Sequence, residues 1–276
     1  MAKHDISLYG KCTSTICAGK SHFDIRDEIF LYFCKKNKKM NTCAQIEKLN
    51  LRFIDHSKQN RQPETIILSE GQKKIINFLD SKPLSVIKHS RRVGASTALV
   101  LYVLANALCA DNKNKRFCFI SDGLDSRKHA YGQIKEIMEN SLSEEEMKQI
   151  SSIRYSITFP NNNIIYFMTS EGFQTRMASF DVIIGDNAAF FAFDIERYKQ
   201  LLNKDGRICF VSTPHVIDND FAKLWIDTKD NEHLSITFMD SSEKHRKLRK
   251  SSNVFHSFPA STCHYFLGGT TCHGHP

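Results

Sequence analysis

Between Thr65 and Met239 the chain repeats one pattern: a short, largely apolar run followed by a longer segment with helical spacing. A strand that is apolar without alternation must be covered on both faces. That situation arises in parallel sheets, where each crossover lays a helix against the sheet. The pattern therefore predicts an α/β fold with a mostly parallel central sheet and helices on both faces. Residues 66–68 lead into a helix over 70–79, with Ile75, Ile76 and Leu79 on one face. Strands are expected at 84–88, 116–121, 181–185 and 207–212, with helices at 96–110, 124–141, 195–202 and 218–227. Residues 153–159 and 164–169 read as a hairpin turned by Pro160-Asn161-Asn162-Asn163.

That core divides the 276-residue chain into a polar, Lys-rich and Cys-dotted N-terminal extension over 1–62, a domain over 63–240, and a short basic, flexible tail over 241–276. The extension carries one short amphipathic stretch, 24–35. Lys and Arg together number 38 against 30 Asp and Glu, a net charge of +8, which favours an acidic partner such as nucleic acid. No apolar run of about 18 residues predicts a membrane span, and residues 1–20 lack the apolar centre of a signal peptide. Nine cysteines, an odd number, argue against a complete disulfide framework. Cys109, Cys118 and Cys209 lie inside apolar runs and read as free core thiols of a reducing compartment.

The sharpest local signal is His89-Ser90-Arg91-Arg92-Val93-Gly94-Ala95-Ser96-Thr97, set between a strand and a helix. Backbone N–H groups and a helix N-terminus face a phosphate at such a junction. Gly94 would let the backbone approach the ligand, and Ser96 would offer a hydroxyl to magnesium. A basic turn before a helix capped by Ser96 would look the same.

Five segments in order resemble the ATPase half of phage terminase large subunits, the motors that pump DNA into viral capsids. Gln72 in Leu68-Ser69-Glu70-Gly71-Gln72 resembles that family's adenine-reading Gln. Ser90 to Ser96 resembles its phosphate loop. The turn Phe159-Pro160-Asn161-Asn162-Asn163-Ile164 resembles its Pro-Asn-Gly-Ser turn. The strand Phe180-Asp181-Val182-Ile183-Ile184-Gly185-Asp186-Asn187-Ala188-Ala189-Phe190, with Arg176 just ahead of it, resembles the Walker B strand. Val211-Ser212-Thr213-Pro214-His215, followed by Phe221 and Trp225, resembles the coupling motif.

The resemblance implies a P-loop NTPase that binds ATP and Mg2+. Ser90, Arg91, Arg92, Val93, Gly94, Ala95, Ser96 and Thr97 would cradle the phosphates, and Gln72 would hydrogen-bond adenine. Ser96 and Asp186 would hold the metal. Arg91 would stabilise the transferred phosphoryl group. Ser212 and Thr213 would pass the nucleotide state to the DNA-moving elements. It further implies duplex DNA as partner and a homo-oligomeric ring at a viral portal in the cytoplasm of an infected host. A small terminase subunit and a separate nuclease would complete the machinery.

Two residues depart from the family pattern. Ala95 stands where the loop Lys belongs, leaving Lys88 or Arg92 to supply charge. Asn187 replaces the Glu that deprotonates the attacking water; an amide holds a water but accepts no proton at neutral pH. Asp181 or Asp122 could substitute if the fold brings one to the site. The stretch after Trp225 is too short for the family's carboxylate-built nuclease, so no nuclease is expected here. Both substitutions also suit a hydrolysis-deficient or truncated homologue acting as a DNA-binding or assembly subunit, and a different nucleic-acid-dependent P-loop ATPase remains a competitor.

Outside the core, Lys244 to Lys250 could contact phosphates through charge alone or form a solvated, flexible linker. Cys263, His264, Cys272, His273 and His275 match no regular zinc spacing, nor do Cys12, Cys17, Cys34 and Cys43. His89 and His129 read as surface residues or as groups behind the site.

Overall fold

The computed structural model describes residues 41–54, 61–109, 111–173, 178–215 and 218–237. The stretch 24–35, Arg176, the basic run 244–250 and all the tail and N-terminal Cys and His residues named above, except Cys43, lie outside the described residues.

A two-stranded ribbon pairs β1 (Arg52–Ile54) with β2 (Pro63–Thr65). Eight further strands form one sheet. They are β3 (Leu84–His89), β4 (Arg116–Ser121), β5 (Ser151–Ile153), β6 (Ser156–Thr158), β7 (Ile164–Thr169), β8 (Phe180–Asp186), β9 (Leu202–Ser212) and β10 (His233–Ile236). Their order across the sheet is β10-β3-β9-β8-β4-β7-β6-β5. From β10 to β7 every neighbouring pair is parallel, and β6 and β5 add an antiparallel edge.

Alternate strand residues enter two cores, one on each face of the sheet. Ile87, Phe117, Phe119, Ile165, Phe167, Ile184 and Val211 face α1 (Thr42–Leu49), α2 (Glu70–Ser81), α3 (Ala95–Leu108) and α4 (Leu124–Ser141). Val86, Cys118, Ile120, Met168, Ile183, Ile208 and Phe210 face the other way. They meet Phe173 of the one-turn α6 (Ser170–Phe173), Tyr198 of α7 (Ile195–Gln200), and Phe221 and Leu224 of α8 (Asp220–Asp227). Each large apolar side chain buried this way contributes about 1.5–3 kcal/mol, so the sheet sandwiched between helix layers is the dominant stabilising feature. The sequence expectation of a parallel sheet covered on both faces is met.

Local chemistry explains where the helices begin. At α2 the Ser69 hydroxyl accepts from the Gln72 N–H at 3.2 Å, while the Ser69 N–H donates to Gln72 Oε1 at 2.9 Å. This reciprocal box satisfies two of the donors that a helix start leaves free. The same device, between Ser143 and Glu146, starts the short α5 (Glu144–Lys148). Helix α3 starts at Ala95 with Gly94 as its N-cap, so Ser96 lies inside the first turn and is not the cap.

The far end of α3 is closed by the asparagine turn between β6 and β7. Asn163 Nδ2 donates to the carbonyls of Ala107 (2.9 Å) and Asn112 (2.8 Å), and Asn161 Nδ2 donates to Ala107 at 2.9 Å. Asn163 is fully buried. Asn163→Ala removes both of its bonds and takes the acceptor from the Lys115 N–H, and is expected to cost about 1–3 kcal/mol, read as a lower urea midpoint at unchanged slope.

Several elements differ from expectation. Residues 42–54 fall within the expected extension, yet Cys43, Ile46 and Leu51 are buried against α2 and α3. Cys43 donates to Asn77 Oδ1, and burial pushes its thiol up to about 11, so this cysteine is a packing group. Residue 153 ends a strand of its own, β5, which turns back through Arg154 and Tyr155, both in the left-handed region at φ 45° and 64°. Strand β9 begins five residues earlier than the apolar run, because Leu202 pairs with Phe180 beyond an irregularity in the register. Strand β10 has no counterpart among the expected strands. Among the described residues no helix is long and apolar enough to cross a membrane.

Candidate functional site

In a parallel sheet the carboxyl ends of the strands open into loops on one edge, where ligands are held. Here β3, β4, β8 and β9 all end at that edge. Their register sets Lys88 level with Ser212, Asp186 with Val211, and Ile120 with Gly185. His89, Arg91, Arg92, Asp122, Asn187, Phe190 and Thr213 line a cavity of about 330 Å3 there.

The loop after β3 is shaped by two left-handed residues, Arg92 at φ 68° and Gly94 at φ 76°. Between them Val93 turns into the core. A turn of this kind forms the concavity of backbone N–H groups that binds anions. Gly94 is required twice over. Its φ is unfavourable for a side chain, and a Cβ there would meet Gln72 Nε2 at 2.6 Å. The Ser90 N–H donates to Ile236 O at 3.0 Å, tying the loop to β10, and Ser90 Oγ is buried without a protein partner.

Ser96, in the first turn of α3, lies near Asp186 at the end of β8, and its hydroxyl is among the groups that favour the charged form of that carboxyl. Asp186 is 7% exposed, and burial raises its pKa above the ordinary carboxylate range. The Ser96 hydroxyl, the charge of His89 and the Asn187 N–H at 3.0 Å oppose that rise, while the negative charge of Asp122 adds to it. Such a costly buried carboxylate is the arrangement expected where a cation binds.

The remaining expected residues divide. Arg91 and Arg92 are exposed and line the cavity, as does Thr213. Ser212 is fully buried; it accepts from the Ala189 N–H at 3.1 Å and donates to Thr213 O at 3.0 Å. One hydroxyl thus joins the end of β9 to the 3-10 turn Ala188–Phe190 that follows Asp186. Thr97 faces α4 instead, accepting from Gln133 Nε2 at 3.3 Å. Ala95 is buried in the core and presents no polar group. Gln72 has both ends of its amide engaged, Oε1 in the box with Ser69 and Nε2 on Gly94 O at 3.3 Å. It braces the loop in this state.

Of the two candidate replacements for the loop Lys, Arg92 reaches the cavity. Lys88 points to the opposite face of β3, its Nζ 3.9 Å from the centre of the Trp225 ring. Burial lowers the Lys88 pKa. Of the two candidate acids, Asp181 lies at the other end of β8, paired with Lys115 Nζ and the Arg116 N–H, each at 2.9 Å. Asp122 lines the cavity.

Three residues at the site are not assigned to it by sequence alone. His89 is 9% exposed, with Nδ1 3.0 Å from Ser90 O and Nε2 buried without a partner. Phe190 stacks on His215 at 4.5 Å. Asp122 enters the sequence analysis only as a conditional substitute. Its signal is its place, one residue beyond β4. Among the described residues no three His, Cys, Asp or Glu side chains are placed to hold a metal by themselves.

Compared with solved structures, the chain is similar to the large terminase of bacteriophage HK97, with a TM-score of 0.57 and 15% identity over 72% of this chain and 44% of that one. This chain has the large-terminase fold. It spans less than half of the HK97 protein's length. The large terminase of a thermophilic bacteriophage, solved in complex with ADP, aligns with a TM-score of 0.48 at 15% identity, over 67% of this chain and 50% of that one. The large terminase ATPase domain of Thermus phage P74-26 aligns over 64% of this chain and 90% of that one, with a TM-score of 0.45 and 15% identity. No protein-family model matches the sequence, and no curated protein matches it.

Proposed function

We propose that the chain is a terminase-like ATPase that binds ATP with Mg2+ at the β3–α3 loop and uses it to act on duplex DNA during viral packaging. The observation that carries this reading is the loop bent by Arg92 and Gly94 between β3 and α3, with Ser96 in the first turn of α3 and buried Asp186 at the end of β8 near enough to influence each other. Hydroxyl and carboxylate oxygens suit magnesium, which keeps most of its waters and takes one or two protein ligands beside the phosphates. Bound there, the ion would neutralise charge on the phosphates. Arg91 and Arg92 supply the positive charge that Ala95 does not. Ser212 carries a change at the turn after Asp186 into Thr213 and the chain beyond β9.

The net charge of +8 supports DNA as the partner. Assembly as a ring at a portal, with a small subunit and a separate nuclease, follows from the terminase resemblance. Residues 1–62, apart from the stretch 42–54 that packs on the core, and residues 241–276 are proposed as appendages to the ATPase domain. A second reading, a subunit that binds nucleotide without hydrolysing it, is favoured by Asn187 and Ala95.

The test is phosphate release from ATP, with and without duplex DNA. The motor reading expects turnover that DNA stimulates. ATP binding without phosphate release in either condition would favour the non-hydrolysing subunit.

A further inference from the structure

If the site binds ATP as proposed, something other than Asn187 must activate water, and the structure points to one residue. Parallel pairing of β4 with β8 puts Ile120 opposite Gly185. Continuing that register sets Ser121 level with Asp186 and Asp122 level with Asn187. The carboxylate missing just after β8 thus has a counterpart just after the neighbouring strand, on the same edge of the sheet. Asp122 lines the same cavity as Arg91, Arg92 and Asn187, and its Oδ1 is buried without a hydrogen-bond partner. An orphaned buried carboxylate oxygen is costly and calls for a ligand.

We propose that Asp122 is the catalytic residue that orients the attacking water and takes its proton, replacing the acid that Asn187 lacks. This rests on the ATPase reading above. In the step, the water oxygen forms a bond to the γ-phosphorus while the bond from that phosphorus to the β-bridging oxygen breaks. The bonding pair leaves with ADP, and the water proton passes to the Asp122 carboxylate. The Asn187 amide can hold the same water as a hydrogen-bond partner, but it cannot take the proton. Asp181 is excluded by its ion pair at the far end of β8, and Asp186 is buried and engaged by the Asn187 N–H. His89 Nε2 is the rival acceptor, since it too is buried and unpartnered.

The experiment compares the full chain with Asp122→Asn, His89→Gln and the double variant Asp122→Asn/Asn187→Glu. Phosphate release is measured beside the affinity for a fluorescent ATP analogue. Asp122→Asn should slow release by about 10²–10⁴-fold. Analogue affinity should stay within about threefold, a change of under 1 kcal/mol. Asn187→Glu should restore release in the double variant. Release that survives Asp122→Asn overturns the assignment, and a matching loss in His89→Gln moves it to the imidazole. A wild-type chain that binds the analogue and releases no phosphate also overturns it, while leaving nucleotide binding intact. A chain that binds no nucleotide overturns the ATPase reading itself.

Discussion

Asp186→Asn stabilises the nucleotide-free chain and removes its magnesium-dependent affinity for ATP. Burial is the largest influence on this carboxyl and raises its folded pKa above the unfolded value. The folded state therefore holds the proton more tightly. Stability from this group is present below the unfolded value, about 3.9, and is lost as pH rises through the folded pKa. Asn keeps an oxygen to accept from the Asn187 N–H and never ionises, so it escapes that loss. In urea the variant should have the higher midpoint at pH 7, and the gap should shrink as pH falls toward about 4. Binding moves the other way. A charged partner is worth about 1.5–3 kcal/mol, so Mg2+-dependent ATP affinity should fall by roughly 10- to 150-fold. A site that is more stable when disabled is one held ready for a cation.

Arg91→Ala leaves ATP bound and stops its turnover. Arg91 is exposed at the cavity mouth, free to fold onto a phosphate, and the loop that carries it is fixed by Val93 in the core and by Ser90 on β10. An arginine that meets charge developing on a transferred phosphoryl group is worth about 10³–10⁵ in rate. Single-turnover phosphate release should drop by that order, with ATP affinity changed by less than about tenfold, or 1.4 kcal/mol. Equal losses in affinity and rate would make Arg91 a binding residue.

The sequence displays its sheet because strands covered on both faces must be apolar throughout. Residues 116–121 can be placed to the residue for that reason, and the helix over 124–141 through the spacing of Ala130, Ile134, Ile137 and Met138. Strand β10 leaves no such mark: its four residues lie at the sheet edge, where only Ile236 is buried. Helix α1 is hidden because a polar segment needs only Cys43, Ile46 and the following Leu51 to dock on a core formed elsewhere. The loop is legible through its glycine and its place between strand and helix. Which cations serve it is not, although strand alternation carries a clue: Lys88 shares the face of Val86, away from α3. Asp122 needs the pairing of β4 with β8, a contact that no local pattern records. Gln72 shows a different limit. One amide can satisfy a helix cap and brace a loop, and a motif names neither partner.

Calorimetric titration of the chain with ATP, in Mg2+ and again in EDTA, tests the central claim most directly. The account predicts saturable one-to-one binding in Mg2+ that weakens sharply in EDTA and in Asp186→Asn. No binding in Mg2+ at about 1 mM ATP, or equal binding with and without the metal, would contradict it.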